Sequence, residues 1–157
     1  MMARVYLGLG SNIGNRVAHL DEAIARMNAH NNITVTRQSS IIETEPYGNV
    51  DQDKFMNMCV EIDTDLSPVA LLETVLEIEQ KMGRERIIDW GPRNIDIDIL
   101  IYEDLEINLD DLQIPHAEMH KRMFVLEPLA EIAANVVHPT FGVSIKTLKQ
   151  QLQDETK

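Results

Sequence analysis

The feature that most constrains this chain is the run Ile95-Asp96-Ile97-Asp98-Ile99-Leu100, entered through Trp90-Gly91-Pro92-Arg93-Asn94. Strict alternation of branched apolar and acidic residues has the two-residue period of a strand, not the 3.6-residue period of a helix. Successive strand side chains point to opposite faces, so Ile95, Ile97 and Ile99 share one face while Asp96 and Asp98 share the other. The isoleucines demand a core on their side. The two acids then stand together on the opposite surface, at a mutual repulsion that a hard divalent cation relieves. Such a pair beside an arginine-bearing loop suits Mg²⁺ and phosphate chemistry. Two carboxylates do not fill the octahedron of Mg²⁺; water and phosphate oxygens complete it, and Asp96 and Asp98 together can bridge two ions.

The rest of the pattern alternates strands with helices. Ala3 to Gly8 reads as a short buried strand, followed by a turn over Gly10-Ser11-Asn12-Ile13-Gly14-Asn15. Val17, Leu20, Ala23, Ile24 and Met27 recur at helical spacing to about His30. Ile33 to Arg37 begins a second strand that continues irregularly to Thr44, and Phe55 to Thr64 is a third. Ser67-Pro68 starts a helix, with a capping serine and a proline at its first position, and Gly83 ends it. Asn94 to Tyr102 is the fourth strand. Met123 to Ala134 is expected to be helical in part, disturbed at Pro128, and a terminal helix spans Ser144 to Leu152. The order strand, helix, strand, strand, helix, strand predicts an α+β, ferredoxin-like split βαβ fold: an antiparallel sheet with helices on one face. The stretches 45–54 and 83–93 are the expected flexible active-site loops. A chain of 157 residues is read as a single domain, 1–157.

Charge narrows the partners. The formal net charge is −12, which argues against a general nucleic-acid binder. The bases are nevertheless clustered, with Lys81, Arg84, Arg86 and Arg93 in one segment and Lys121 and Arg122 later. A local positive patch in an acidic protein fits a small polyanion escorted by Mg²⁺. Arginine also grips phosphate bidentately. The lone Cys59 sits in an apolar strand-like run and reads as a buried hydrophobe. His19, His30 and His138 read as surface or packing residues. The early glycines do not make a dinucleotide fingerprint, because Gly8 and Gly10 are followed by Gly14 rather than a glycine at position 13, and no parallel crossover pattern follows. No run is long enough to span a membrane and no signal pattern opens the chain, so a cytoplasmic monomer without membrane or nucleic-acid partners is expected.

Several motifs, taken together, resemble one family. They are Gly8-x-Gly10-Ser11-Asn12, Glu43-Thr44-x-Pro46, Phe55-x-Asn57, Gly83-Arg84-x-Arg86, Trp90-Gly91-Pro92-Arg93-x-x-Asp96-x-Asp98, Ile114-Pro115-His116, and Arg122-x-Phe124-Val125-Leu126-x-Pro128-Leu129. Their identity and order are similar to those of the 6-hydroxymethyl-7,8-dihydropterin pyrophosphokinases of folate synthesis. The resemblance implies transfer of pyrophosphate from ATP to the hydroxymethyl oxygen of a dihydropterin, giving AMP and the pterin diphosphate, with two Mg²⁺ ions. It implies Asp96 and Asp98 as metal ligands and catalytic residues together with Arg84 and Arg93. It places Thr44, Glu45, Tyr47, Phe55, Asn57, Trp90 and Phe124 around the pterin. On the nucleotide side it places Glu79, Arg84, Arg86, Arg93, Ile99, His116 and Arg122. The chain departs from the usual pattern at Ile87-Ile88-Asp89, where the family often carries basic residues. It departs again at Leu76, Asp111, Gln113 and Ala117, where some members offer polar or aromatic contacts. Two other classes fit the fold less well. One is another Mg²⁺-dependent nucleotidyl or phosphoryl transferase. The other is a ferredoxin-like RNA-binding module, which would present basic surface and stacking aromatics rather than acids.

Overall fold

The computed structural model describes residues 2–44, 54–83 and 94–155. Strand β1 (Ala3–Ser11) leads to helix α1 (Arg16–Ala29), then β2 (Ile33–Gln38), β3 (Ile42–Thr44), β4 (Phe55–Thr64), α2 (Pro68–Lys81) and β5 (Asp96–Tyr102). A small hairpin of β6 (Ile107–Asn108) and β7 (Gln113–Ile114) follows, then a 3-10 turn over Met119–Lys121, α3 (Met123–Ala133) and α4 (Ile145–Glu155). The main sheet runs β2-β4-β1-β5, with β3 joining β4 beyond β2. Every pairing is antiparallel. This is the expected split βαβ arrangement, with β1 and β4 central.

Local chemistry sets the helix ends. Asn15 Oδ1 accepts the N–H of Ala18 at 3.1 Å and Ser67 Oγ accepts that of Ala70 at 3.2 Å, each satisfying an otherwise orphaned donor of the first turn. Gly83 follows α2 with φ +79°, a conformation that suits a residue without Cβ. On one face of the sheet, Val5, Leu7, Leu9, Ile95, Ile97 and Ile99 pack with Leu20 and Met27 of α1 and Leu71 and Val75 of α2. Each such fully buried aliphatic side chain stabilises the fold by about 1.5–3 kcal/mol.

The expected one-sided layering holds for the βαβ unit, and a second layer is added beyond it. Tyr6, Cys59, Leu100 and Ile101 face Leu126 and Leu129 of α3 and Ile145 and Leu148 of α4 on the opposite side. A bulge makes this possible. Leu7 pairs with Ile99 but Tyr6 pairs with Ile101, so Leu100 is an extra residue in β5 and the inside-outside alternation changes phase there. Burial of Cys59 in this second layer pushes its thiol pKa well up, in keeping with an inert buried hydrophobe. His138 is buried too, its Nδ1 accepting the N–H of Thr140 and Phe141 and its ring stacked on Phe141.

Three local expectations change. Strand β1 does not end at Gly8: Gly10 and Ser11 continue it, opposite Asn57 and Met56 of β4. The irregular second strand is two strands, β2 and β3, which pair successively with β4 across a break at 39–41. Helix α3 runs unbroken through Pro128, where the ring removes one backbone donor without ending the helix. Of the expected active-site loops, 45–54 and 83–93, residues 45–53 and 84–93 lie outside the described residues.

Candidate active site

The acid-bearing end of the sheet is built in two rows. Ile42, Asn57, Gly10 and Asp96 are successive neighbours across β3, β4, β1 and β5. Cys59, Gly8 and Asp98 form the next row on β4, β1 and β5. The isoleucines that alternate with the acids are sunk under α1 and α2, so Asp96 and Asp98 stand on the other face, half-buried. In the first row only Gly10 lies between Asp96 and Asn57, a side-chain-free strip between a carboxylate wall and an amide wall. In the second row the Leu100 side chain covers Gly8, 3.5 Å from where a Cβ would stand. Two strand spacings separate the walls, about 9.5 Å.

Gly10 is required by the amide wall. A Cβ there would come 3.0 Å from Asn57 Oδ1 and 3.7 Å from the Phe55 ring. Asn57 is buried and its Nδ2 donates to Thr44 Oγ1 at 2.7 Å, so Thr44, Phe55 and Asn57 form one preset group. An amide and a hydroxyl fixed together this way present both donor and acceptor capacity to the edge of a heterocycle.

The same face receives residues from the C-terminal half. The backbone N–H of His116 donates to the Leu100 carbonyl at 2.9 Å, pinning the Ile114-Pro115-His116 segment to β5. His116 Nδ1 accepts the N–H of Glu118 at 3.2 Å. Burial, and then the charge of Arg122, depress the His116 pKa against the opposing pull of Asp96 and Glu118. That set of influences brings His116, Arg122 and Asp96 into one electrostatic neighbourhood. The Arg122 guanidinium carbon lies 5.6 Å from the ring centre of Phe124, at the first turn of α3. Phe124 packs against the second core layer, on the side of the sheet that bears the acids.

Two of the named residues act from elsewhere. Glu79 on α2 is buried, and its Oε2 accepts the N–H of Ile97 at 2.7 Å. Ile97 lies between the two acids, so Glu79 fastens the outer edge of the strand that carries them. The Ile99 side chain is buried in the core under α1 and α2, which leaves its backbone to face any ligand. Glu45, Tyr47, Arg84, Arg86, Trp90 and Arg93 lie outside the described residues. The chain on either side of their segments is tied down. Asn94 Nδ2 donates to the Met82 carbonyl at 2.6 Å. Arg16 donates to the Lys54 carbonyl at 2.6 Å and lies 3.9 Å from the Glu43 carboxylate, which also faces Lys54 at 3.8 Å. Motif reading missed Arg16: an arginine opening a helix has no local signal for a contact with residues so distant in sequence.

Among the described residues no cluster of three or more His, Cys, Asp or Glu side chains could hold a metal by itself. The donors present are two half-buried hard oxygen ligands on one sheet face, and they fit Mg²⁺ that would arrive with phosphate oxygens and water rather than a caged structural ion.

The chain is similar to known proteins of one family. The family described as 7,8-dihydro-6-hydroxymethylpterin-pyrophosphokinase (HPPK) matches residues 6–134. A 2-amino-4-hydroxy-6-hydroxymethyldihydropteridine pyrophosphokinase of Bacillus subtilis is 49% identical over 131 residues, covering 83% of this chain and 78% of that protein. One of Methylorubrum extorquens is 48% identical over 136 residues, 87% of this chain and 86% of its own length. One of Aquifex aeolicus is 38% identical over 150 residues, 96% and 92%. A crystal structure of Plasmodium falciparum HPPK-DHPS with pterin and p-hydroxybenzoate superposes with a TM-score of 0.80 at 16% identity, over 100% of this chain and 44% of that one. At that identity the likeness is one of fold, and the chain spans less than half of the larger protein.

Proposed function

The chain belongs to the 7,8-dihydro-6-hydroxymethylpterin-pyrophosphokinase family, and from that premise we propose how its own residues carry the family's reaction. It is a transferase of folate synthesis: pyrophosphate passes from ATP to the hydroxymethyl oxygen of 6-hydroxymethyl-7,8-dihydropterin, leaving AMP and the pterin diphosphate. We read it as a single-domain monomer working in the cytoplasm on two small substrates. Among the described residues no helix is long and apolar enough to cross a membrane.

The observation that carries the assignment of residues is the side-chain-free strip at Gly10 between the Asn57–Thr44 pair and Asp96, with Asp98 beside Asp96 on the same face. A flat heterocycle laid on that strip has its polar edge read at Asn57 and Thr44 and its far side turned toward the acids. Phe55 and Phe124 supply aromatic faces for it. Glu45, Tyr47 and Trp90 belong to the same pocket by their place in the motifs. A substrate lacking the matching donors and acceptors would leave the buried Asn57 amide unpaired, which discriminates strongly against analogues.

Asp96 and Asp98 would hold two Mg²⁺ ions; when bound, such ions neutralise phosphate charge and lower the pKa of a hydroxyl beside them. His116 and Arg122 flank the acids on the nucleotide side, with Arg84, Arg86 and Arg93 assigned there by motif. Arginines around a transferring group stabilise the charge that develops on it. No nucleophile from the protein is needed, because the substrate hydroxyl attacks, and the protein's work is alignment and exclusion of water. Glu79 holds the acid strand in register through Ile97.

The test is product identity. Incubation with ATP, Mg²⁺ and 6-hydroxymethyl-7,8-dihydropterin should yield AMP and pterin diphosphate in equal amounts. Formation of ADP, or no turnover, would overturn the reading.

A further inference from the structure

Helix α3 and strand β3 each bring one group to the pterin side, Phe124 at the first turn of α3 and Thr44 at the end of β3. Their far ends are tied to each other. Ser40, in the break between β2 and β3, donates its backbone N–H to Glu131 Oε1 at 2.9 Å and its hydroxyl to Glu131 Oε2 at 2.6 Å. Next to it, Ser39 grips β4: its N–H donates to the Cys59 carbonyl at 2.9 Å, and its Oγ accepts the Cys59 N–H at 2.8 Å. The break is therefore held from two sides, by β4 and by α3.

The two arms are of comparable length. From Ser40 to Thr44 is four residues, strand from Ile42 onward, which span at most about 13 Å. From Glu131 back to Phe124 is seven residues, two helical turns and about 10.5 Å, which returns to the same face of α3. One end of this frame is the Ser40–Glu131 clamp, and the other end holds the pterin-reading groups. Strand β3 has three residues and, among the described residues, pairs with β4 alone, so pairing orients it weakly. The two hydroxyl and amide bonds of Ser40, with the Lys149 charge, hold the Glu131 carboxyl pKa below its ordinary value, so the clamp is ionised at neutral pH.

We propose that Glu131, through Ser40, is a positioning residue for the pterin: it sets the spacing between Thr44 on β3 and Phe124 on α3. This rests on the pterin reading above. Glu131 touches neither substrate, and its effect is on pterin affinity.

The experiment compares wild type, Glu131→Ala and Glu131→Gln for pterin KM, ATP KM, kcat and urea midpoint, with pterin affinity measured separately by equilibrium binding. Glu131→Ala should raise both pterin KM and pterin Kd about fivefold or more, the scale of one lost net hydrogen bond. ATP KM and kcat should stay near wild type, with at most a small fall in urea midpoint from the two lost exposed bonds. Glu131→Gln should restore pterin affinity, since its amide oxygen can accept the Ser40 N–H and its NH₂ can donate to Ser40 Oγ. A lowered urea midpoint with unchanged pterin KM would overturn the positioning role, as would equal loss in both variants. A wild-type protein that makes no AMP would overturn the underlying reading. AMP formation by wild type with wild-type pterin affinity in Glu131→Ala would overturn the clamp alone.

Discussion

Adding one methyl group at Gly10 should separate pterin recognition from nucleotide handling. The Cβ of Gly10→Ala would sit 3.0 Å from Asn57 Oδ1, a few tenths of an ångström inside ordinary contact, and 3.7 Å from the Phe55 ring. Asn57 cannot swing clear at no cost, because it is buried and its Nδ2 is committed to Thr44 at 2.7 Å. Overpacking a well-filled site costs about 1–3 kcal/mol, and the lower end applies where one side chain can yield slightly. The larger effect is on function. A displaced amide misaligns both polar groups proposed to read the pterin edge, and about 1.4 kcal/mol of lost hydrogen bonding is about a tenfold rise in pterin Kd. The ATP KM should change little, since the amide wall is on the far side of the strip from Asp96. Gly8→Ala is the stability control. Its Cβ would meet Leu100 at 3.5 Å, ordinary contact, so its urea midpoint should stay within about 0.5 kcal/mol of wild type. The assay is pterin binding beside steady-state kinetics in both substrates. Wild-type pterin affinity in Gly10→Ala would refute the reasoning, as would an equal rise in ATP and pterin KM.

Two further outcomes follow from buried acids. Glu79→Ala should lower stability by about 1–3 kcal/mol in urea, because the buried Ile97 N–H loses its acceptor, and Glu79→Gln should lose less. Equal midpoints for Glu79→Ala and wild type would count against the edge-fastening role. For Glu61, burial alone would raise the pKa, but the hydroxyls of Tyr6 and Thr36 and the charges of Arg4 and Arg37 outweigh it and hold the carboxyl below 4.5. A folded pKa below the unfolded one gives stability that is present above about pH 4.5 and lost as pH falls through the lower folded value. Stability of Glu61→Gln should therefore depend less on pH than that of wild type below pH 4.5, and parallel curves would show that Glu61 is not responsible.

Residue by residue, what was legible in the chain is what depends on local period. The Ile95–Ile99 alternation, the helical spacing from Leu20 to Met27 and the Ser67-Pro68 start all declare themselves within a few residues, and each appears where expected. Gly10-Ser11 looked like a turn because its composition is that of one. Its real constraint is the approach of Asn57 from β4, far along the chain, which no local pattern carries. The β6–β7 hairpin, two residues a side, is too short to show alternation. Motif resemblance supplied Glu79 and Ile99, and the structure explains the first as the acceptor for Ile97 and leaves the second only its backbone. Glu131 gave no signal, since an exposed acid on an apolar helix is the ordinary way to keep such a helix wet.

The central claim is that Asp96 and Asp98 form the metal-binding wall of the transfer site. Its most direct test is AMP formation by Asp98→Ala at saturating ATP, pterin and Mg²⁺. Asp98 is half-buried on the acid-bearing face, and the variant's urea midpoint is measured beside its rate so that a loss of chemistry is told from a loss of fold. Its rate should fall by about a hundredfold or more, the scale of removing one preorganised electrostatic contact to a transferring group. A folded Asp98→Ala that makes AMP within tenfold of the wild-type rate would contradict the account.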